Sequence, residues 1–383
     1  MVCNPFHASI YQLTTFAFQS ALMKLQLRYS ANAVVLMLLA LVLPLFVSCT
    51  AKATLGKNCR EIVVANHQLW VLTSAGKIGV YDADGNQQHL PIVESVKAQH
   101  LAVDGDNVVA QIGPDIQRWN SKLTIWETIG KLPRNVFGLV VNSQHQVFAI
   151  TSLGVLNVAT GYSKMPDSSP NDQLRQLTGF EAPAAYFLDR QDNLWIGFGY
   201  GEWGGNVFTY NTIKNKFVDL KFNKFEINLR PIKSFFQFNS AVGVSSGLQH
   251  MSNSGTLASF QNLSAQLIYD SRADIDTTAK NKRESWYNQP YVGPATYEPQ
   301  DDCLYFYSNK GVFKGKSTAD LSKLNNWQLL FTPKLHWQGG QPDAVGSPMN
   351  VLKMLSLGDG KLVLLTQNDG VGIWDGNTFK LLP

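Results

Sequence analysis

The stretch DRQDNLWIG, residues 189–197, places a polar, acidic turn directly before an apolar pair, Leu194–Trp195, and a glycine. Similar pairs follow polar turns throughout the chain, at Leu69–Trp70, Val108–Val109, Val147–Phe148, Ala241–Val242, Leu304–Tyr305 and Leu362–Val363. Successive pairs lie 39 to 63 residues apart, and the residue two places before each pair is polar in six copies and glycine in the seventh. Short β-rich runs behind turns at this spacing predict seven copies of one unit.

Each copy contains further β-rich runs, as in LWVLTSAGKIGVYD (69–82), where a Ser-Ala-Gly turn separates two strands. One run precedes the polar turn and another ends the unit, so each unit has four strands, which is typical of a propeller blade. The fifth copy, AVGVSSGLQHMS (241–252), is interpreted in the same way as strand, turn and strand. A four-stranded sheet cannot cover both of its faces alone, so neighbouring sheets must stack until a ring closes. We predict an all-β, seven-bladed β-propeller of four-stranded antiparallel blades over residues 58–383.

Residues 189–211 resemble the two-component-regulator propeller repeat. The residues that match are Asp189, Asn193, Leu194, Trp195, Ile196 and Gly197, and Asp192 stands where that repeat usually has glycine. The resemblance implies a propeller and an extracytoplasmic sensor-like portion. The other copies keep the polar turn and the apolar pair but not the letters, so the resemblance supports the fold more than the function.

The N-terminus has the pattern of an export signal. Residues 31–48 are apolar and uncharged, and Lys24 and Arg28 precede them. A charged region, an apolar region and small residues before a break are typical of a secretory signal peptide, which we assign to residues 1–48. Met23 would start a signal peptide of ordinary length.

The residues LFVSC, Leu45–Cys49, resemble the lipobox of bacterial lipoproteins, although Phe46 is larger than the usual residue. This resemblance implies a lipid anchor of the palmitate type on Cys49, a linker over 49–57, and a place in the bacterial cell envelope. Thr50 favours the outer over the inner membrane under the enterobacterial rule. Export without a lipid and an uncleaved anchor are the alternatives; the apolar run is close to the shortest length that spans a bilayer.

Composition excludes several classes of function. Hydrophobic residues make up 45% and charged residues 16% of the 383 residues, which suits a globular protein. The net charge of +4 is scattered, so no nucleic-acid partner is expected. Phosphate-loop and dinucleotide-binding motifs do not occur, so we expect no cofactor. Besides Cys3 and Cys49 the chain has Cys59 and Cys303, whose pairing the sequence leaves open.

Metal binding is not expected either. His67 and His145 occupy equivalent turn positions in two copies, which the repeat explains, and the histidines lack ligand spacing. Residues 82–86 begin like a calcium loop but lack the distal glutamate, so they are interpreted as a β-turn.

Three segments are candidate binding surfaces. The turn GYGEWGG (199–205) would present Tyr200, Glu202 and Trp203 at a rim, where they could stack on a sugar ring or a flat ligand. Two insertions, 270–300 and 331–349, are predicted to crowd one sector of the propeller, because long loops on a rigid scaffold commonly carry function. Their candidate residues are Trp286, Tyr287, Tyr291, His336, Trp337 and Asp343. The alternatives are an ordinary hairpin and aromatics that shield the propeller from water.

These features favour a membrane-anchored binding or scaffold module for a protein, peptide or glycan, with an envelope protein as a further candidate partner. The alternative is a carbohydrate-active or other hydrolytic or lyase enzyme with acidic residues in the propeller channel. Two inward-facing carboxylates in one pocket would favour the enzyme. An aromatic-rich rim without them would favour binding.

Overall fold

The computed structural model describes residues 58–132, 136–168, 179–250, 252–275, 289–336 and 350–383. Within these ranges the chain forms seven four-stranded antiparallel sheets, and each sheet is built from four consecutive strands. One short α-helix, α1 (Pro91–Ser95), precedes the second sheet. No helix in the described part of the chain is long and apolar enough to cross a membrane. The predicted all-β, seven-bladed propeller is confirmed.

The blades follow each other in chain order. Their strands are β1 (Cys59–Ala65), β2 (Gln68–Thr73), β3 (Ile78–Tyr81), β4 (Gln87–Gln88); β5 (Ala98–Asp104), β6 (Asn107–Ile112), β7 (Asp115–Asn120), β8 (Ile125–Lys131); β9 (Val136–Val141), β10 (Val147–Thr151), β11 (Gly154–Asn157), β12 (Tyr162–Lys164); β13 (Ala185–Leu188), β14 (Asn193–Gly199), β15 (Gly205–Asn211), β16 (Lys216–Val218); β17 (Ile232–Phe238), β18 (Ala241–His250), β19 (Ser252–Gln261), β20 (Ser264–Asp270); β21 (Ala295–Glu298), β22 (Cys303–Ser308), β23 (Gly311–Lys316), β24 (Gln328–Phe331); β25 (Val351–Gly358), β26 (Lys361–Thr366), β27 (Val371–Trp374) and β28 (Phe379–Leu381).

The first strand of each blade contacts the first strand of the next, and β25 contacts β1, so the inner strands form a closed ring. Because blades 1 and 7 are each built from consecutive strands, the ring closes without strand exchange. Side-chain packing closes it instead: Ile62 of blade 1 lies in one apolar cluster with Val363 and Ile373 of blade 7. An ion pair between Lys361 Nζ and Asp84 Oδ1, 2.6 Å apart, spans the same seam.

The recurring polar turn connects the first and second strands of a blade. Several residues there have a left-handed backbone, including His67 (φ 57°), His145 (φ 60°) and Asp192 (φ 60°). Asn, Asp and His tolerate this conformation better than most residues because short polar side chains bond to the local backbone. Asp192 stands where the repeat that residues 189–211 resemble usually has glycine. Its carboxylate binds the neighbouring blade, where Ser143 N and Oγ lie 2.8 and 2.6 Å from its two oxygens.

Large aromatic residues fill the spaces between blades, as the sequence predicts for Trp70, Trp195 and Trp374, which are all buried. Asp189 fixes one of them: its Oδ2 accepts a hydrogen bond from Trp195 Nε1 at 2.8 Å. Cys59 and Cys303 are both buried, in blades 1 and 6, and no disulfide bond joins them.

The interpretation of AVGVSSGLQHMS as strand, turn and strand is wrong, because β18 runs through this segment from Ala241 to His250. Ser245 is fully buried and its Oγ lies 2.7 Å from Ser234 Oγ on β17. Gly247 lies against the segment before β21, where a Cβ would come within 2.1 Å of Val292 O. The small residues therefore permit close packing inside a long strand and do not form a turn. The predicted signal peptide, Cys49 and the linker over 49–57 all lie outside the described residues.

Candidate functional site

One face of the propeller collects the long connections. Since every blade has the same strand order, all inner strands begin at one face, together with the hairpins between second and third strands and the blade-to-blade connections. We call this the connection face. The longest connections begin and end there, after β12, β20 and β24. Among the predicted binding residues that the structure describes, Tyr200, Glu202, Trp203, Tyr291 and His336 lie on segments that reach this face.

The turn between β14 and β15 carries the first candidates at its tip. A 3₁₀ turn spans Gly201–Trp203, Glu202 is exposed, and Trp203 is 64% exposed. Tyr200 is half-buried and its ring stacks on Phe198 with centroids 6.1 Å apart. Burial, and then the charge of Glu181, raises the pKa of Tyr200 to about 12. Tyr200 thus forms the base of the turn, and Trp203 is its solvent-facing aromatic surface.

The same turn is fixed against blade 5. Gly204 has a φ of 82°, and a Cβ there would lie 2.3 Å from Asn228 O. Only glycine permits this approach, which brings the turn against a second 3₁₀ turn, Ile227–Leu229. Trp203 is therefore presented on a supported hairpin.

His336 lies on the connection after β24 and is held by blade 7. Its backbone N donates to Asp369 Oδ2 at 2.7 Å, and its Nδ1 lies 2.6 Å from Asp369 Oδ1. Asp369 is 1% exposed at its side chain and His336 is 81% exposed. The backbone N and the Nδ1 of His336 thus both face one buried carboxylate, while most of the side chain is exposed to solvent.

The other predicted residues are placed differently. Tyr291 is 1% exposed and packs in the core of blades 6 and 7, where burial raises its pKa well above the usual range. Its ring lies under Lys233, whose Nζ is 5.9 Å from the ring centroid. Contact of Tyr291 with a ligand stays a prediction. Trp286, Tyr287, Trp337 and Asp343 lie outside the described residues.

The propeller channel has a cavity of about 450 Å³ where its inner strands begin, at the connection face. Residues of β1, β9, β13, β17 and β25 line it, and we call this cavity the channel mouth. Its walls are partly apolar, with Phe137, Ile232 and Leu352 among them. Cavities of a few hundred Å³ with apolar walls and a few polar groups are typical of small-molecule sites.

A β-bulge recurs near the start of the inner strands. The pairing register shifts at the second residue of the inner strand in five blades, at Arg60, Gln99, Phe137, Lys233 and Leu352. Bulges redirect side chains next to functional sites. Four of these five residues line the channel mouth, namely Arg60, Phe137, Lys233 and Leu352. The bulges thus place two cations and two apolar side chains around one opening.

The charge of the channel mouth is mainly positive. Arg60, Lys233 and Lys353 line it together with one carboxylate, Glu61. Burial lowers the pKa of Lys233 to about 8. Burial also lowers the pKa of Lys353, against the opposing effect of the Glu61 charge, and Lys353 Nζ donates to Ile62 O at 3.1 Å. Among the described residues, none of the three cations forms an ion pair with a carboxylate.

The carboxylate of Glu61 is hydrogen-bonded to the side chain of a histidine. His100 Nδ1 lies 2.6 Å from Glu61 Oε1, and His100 Nε2 lies 2.9 Å from Val136 O. Glu61 Oε2 also accepts from Leu101 N at 2.7 Å. Both oxygens of Glu61 thus have hydrogen-bond partners, and both ring nitrogens of His100 face oxygen atoms. Among the described lining residues, three cations share this one carboxylate.

Sequence reasoning missed the channel mouth. Its charged residues are single letters at the starts of apolar strands, as in RPIKSF (230–235) and NVLKML (350–355). The available signal is a charge at the beginning of a predicted inner strand, but nothing local shows that three such positions share one cavity.

Comparisons with known proteins support the fold. No protein-family model matches the sequence and no curated protein matches it. A solved structure of hydrazine synthase from Kuenenia stuttgartiensis has a TM-score of 0.51 at 11% identity. The match covers 88% of this chain and 98% of that one. The GH74 enzyme of Niastella koreensis has a TM-score of 0.50 at 12% identity, with 84% of this chain and 53% of that one covered.

The extracellular domain of a one component system from B. thetaiotaomicron is also similar, with a TM-score of 0.47 and 9% identity over 83% of this chain. The chain spans 38% of that domain's length. At these identities the likeness concerns the fold alone. The class that the fold and the site define is a seven-bladed β-propeller with a cationic channel mouth.

Proposed function

We propose that the protein is an extracytoplasmic binding or scaffold module, lipid-anchored to a bacterial membrane through Cys49. Its connection face would take a protein, peptide or glycan. The outer membrane is preferred over the inner one because of Thr50. The anchor and the location rest on the sequence, since the residues concerned lie outside the described part of the chain.

The observation that carries the proposal is that the channel mouth opens at the face with the longest connections. The same face presents Trp203 on a supported hairpin and His336 on a carboxylate anchor. Exposed aromatic side chains on rigid turns provide contact area at low entropic cost, which suits recognition of peptides and sugars. A rigid ring with variable connections at one face is a binding arrangement.

The charge of the channel mouth favours binding over hydrolysis. Glycoside hydrolases of the common type need two carboxyl groups that flank the scissile bond. In the described lining of the channel mouth Glu61 is the single carboxylate, and both of its oxygens are occupied by His100 and Leu101. The likeness to a GH74 enzyme concerns the fold and supplies no acid pair.

Co-purification from solubilised membranes tests the proposal. The tagged wild-type chain is compared with Trp203→Ala and, as a matched control, with Leu381→Ala, whose side chain is 42% exposed on the outer strand β28. We expect a partner protein or glycan to be retained by the wild type and the control and lost with Trp203→Ala. Retention by all three variants, or by none, would contradict the proposed use of this face.

Palmitate labelling tests the anchor separately. Wild-type protein should incorporate labelled palmitate and sediment with membranes, whereas Cys49→Ser should do neither. Cys3→Ser provides the matched control and should behave as the wild type. Labelling that persists in Cys49→Ser would exclude Cys49 as the lipid site.

A further inference from the structure

The channel mouth holds more positive charge than its own residues neutralise. Arg60, Lys233 and Lys353 line a cavity of about 450 Å³ in which Glu61 is the single carboxylate among the described lining residues, and both of its oxygens already have hydrogen-bond partners. Cations placed together in a confined, partly apolar cavity raise the local concentration of anions, because low-dielectric walls focus the field. The mouth therefore attracts negative charge.

The positions of these cations are imposed by the fold. Arg60 and Lys233 occupy the bulged position of β1 and β17, and Lys353 directly follows the bulged Leu352 of β25. Three inner strands from distant parts of the chain thus carry their charge to the same end of the channel. A lysine on an open surface does not require a β-bulge, since any exposed strand position would present its side chain to solvent.

Lys233 is held without a neutralising partner. Among the described residues its side chain contacts the ring of the buried Tyr291, with Nζ 5.9 Å from the centroid, and no carboxylate. Burial lowers its pKa to about 8, which is the sign of a desolvated ammonium group. Unfavourable local arrangements of this kind are expected where function requires them.

Building on the binding role proposed above, we propose that the channel mouth binds a small organic polyanion. Arg60, Lys233 and Lys353 contact its negative groups, and Phe137 and Leu352 contact its carbon skeleton. Carboxylate and phosphate share the required chemistry, since a guanidinium binds either with two hydrogen bonds and an ammonium binds either as a point charge. The volume suits a ligand the size of a metabolite or a sugar phosphate.

Calorimetric titration of the purified full-length chain tests this assignment. The probes are citrate and glucose 1-phosphate, with glucose as the neutral control, at pH 7 and low ionic strength. We expect one site for a polyanion and none for glucose. Tighter binding of citrate would assign a carboxylate ligand, and tighter binding of glucose 1-phosphate would assign a phosphate ester. Absence of binding by both anions would overturn the proposal.

Lysine variants locate the site. Lys233→Met and Lys353→Met should each weaken anion binding by about tenfold or more, as expected for loss of one charged contact. Lys361→Met removes one charge at the blade 7–blade 1 seam and should change affinity by less than about twofold. Equal weakening by all three variants would show unspecific attraction and overturn the proposal.

Two further measurements keep the outcome clear. Lys233→Arg preserves the charge and should retain binding, which separates loss of charge from loss of fold; circular dichroism and thermal unfolding check every variant.

Membrane co-purification is repeated with Lys233→Met. If Trp203 is required for a partner but no anion binds, the binding module stands and the anion site fails. If anions bind but no partner depends on Trp203, the anion site stands and the proposed use of the connection face fails.

Discussion

His100 and Glu61 form a pair at the channel mouth, with His100 Nδ1 2.6 Å from Glu61 Oε1. The two residues lie at the starts of β5 and β1, so the contact joins neighbouring blades. Because His100 Nε2 also faces an acceptor, Val136 O, the ring connects three successive inner strands. The pair therefore connects blades 1, 2 and 3 at the channel mouth.

Glu61→Gln should reduce stability and tighten citrate binding. Glutamine can still accept from Leu101 N, but His100 loses its carboxylate partner, and the cations of the channel mouth lose the single carboxylate among the described lining residues. We expect a loss of about 1–3 kcal/mol in the free energy of unfolding, typical of a hydrogen bond to a charged group. Denaturant unfolding and citrate titration measure the two effects. Citrate affinity that does not increase would show that Glu61 does not offset the charge of these cations.

Anion binding should weaken as pH rises through about 8. Burial lowers the pKa of Lys233 to about 8, and a bound anion raises it, so binding requires a proton at higher pH. The groups that share the site with Lys233 are Arg60, Glu61, Tyr186, Lys353 and the Tyr291 ring. Affinity should be full at pH 7 and decline by pH 9.

The matched variant for this pH dependence is Lys233→Arg, because a guanidinium stays protonated throughout the range. Its citrate affinity should decline less between pH 7 and 9 than that of the wild type. Parallel profiles for the two proteins would assign the titration to a group other than Lys233.

Lys233→Met should stabilise the fold at neutral pH. A lowered folded-state pKa means that protonated Lys233 costs free energy, fully so below pH 8, and that this cost disappears as pH rises toward the unfolded value of 10.5. The shift corresponds to at most about 3 kcal/mol, and we expect a gain of about 1–3 kcal/mol. Thermal unfolding at pH 7 and pH 10 measures it. The difference between variant and wild type should shrink at the higher pH; a difference that grows would contradict the assigned cause.

Asp189→Ala should cost about 2–4 kcal/mol, because it leaves buried donors without an acceptor. Asp189 Oδ1 accepts from Asn193 N at 2.9 Å, and Oδ2 accepts from Trp195 Nε1 at 2.8 Å. Asp192→Gly is the control: it loses the bonds to Ser143 but suits the left-handed backbone, so we expect a change below about 1 kcal/mol. Denaturant unfolding measures the free energy of unfolding of both variants. Similar losses would show that the hydrogen bonds accepted by Asp189 stabilise the fold no more than those of Asp192.

Ile62→Ala should cost about 2–4 kcal/mol, as expected when a fully buried aliphatic side chain is truncated. Ile62 is 0% exposed at the seam of blades 1 and 7, and Ile150, also 0% exposed, occupies the space between blades 3 and 4. Since the ring closes by packing, Ile150→Ala should cost a similar amount. Chemical unfolding of both variants measures this, and a seam variant with no effect would show that packing does not close the ring.

Much of the fold could be predicted from local pattern. A polar turn with a left-handed residue and a following apolar pair, as at Asp192 and Leu194–Trp195, is encoded within a few residues and recurs in every blade. The same reasoning failed at Ser245–Gly247, where a sequence typical of a turn lies inside a strand. There the deciding contacts come from Ser234 and Val292, which are distant in the chain.

Part of the candidate site could be predicted from local sequence, and part depended on tertiary packing. The turn with Tyr200, Glu202 and Trp203 could be found from its glycines, because backbone freedom is a local property. Tyr291 could not be recognised as a core residue from the sequence, since its burial depends on the packing of blades 6 and 7.

The amino-acid sequence by itself determined the repeated four-stranded unit, its number of copies and the candidate export signal, since all of these depend on neighbouring residues. Only the tertiary structure decided that Arg60, Lys233 and Lys353 share one cavity. It also decided that the His100 side chain is hydrogen-bonded to the Glu61 carboxylate. The physical reason is that bulges at the starts of separate inner strands set the direction of these side chains, and closure of the ring brings those strands together.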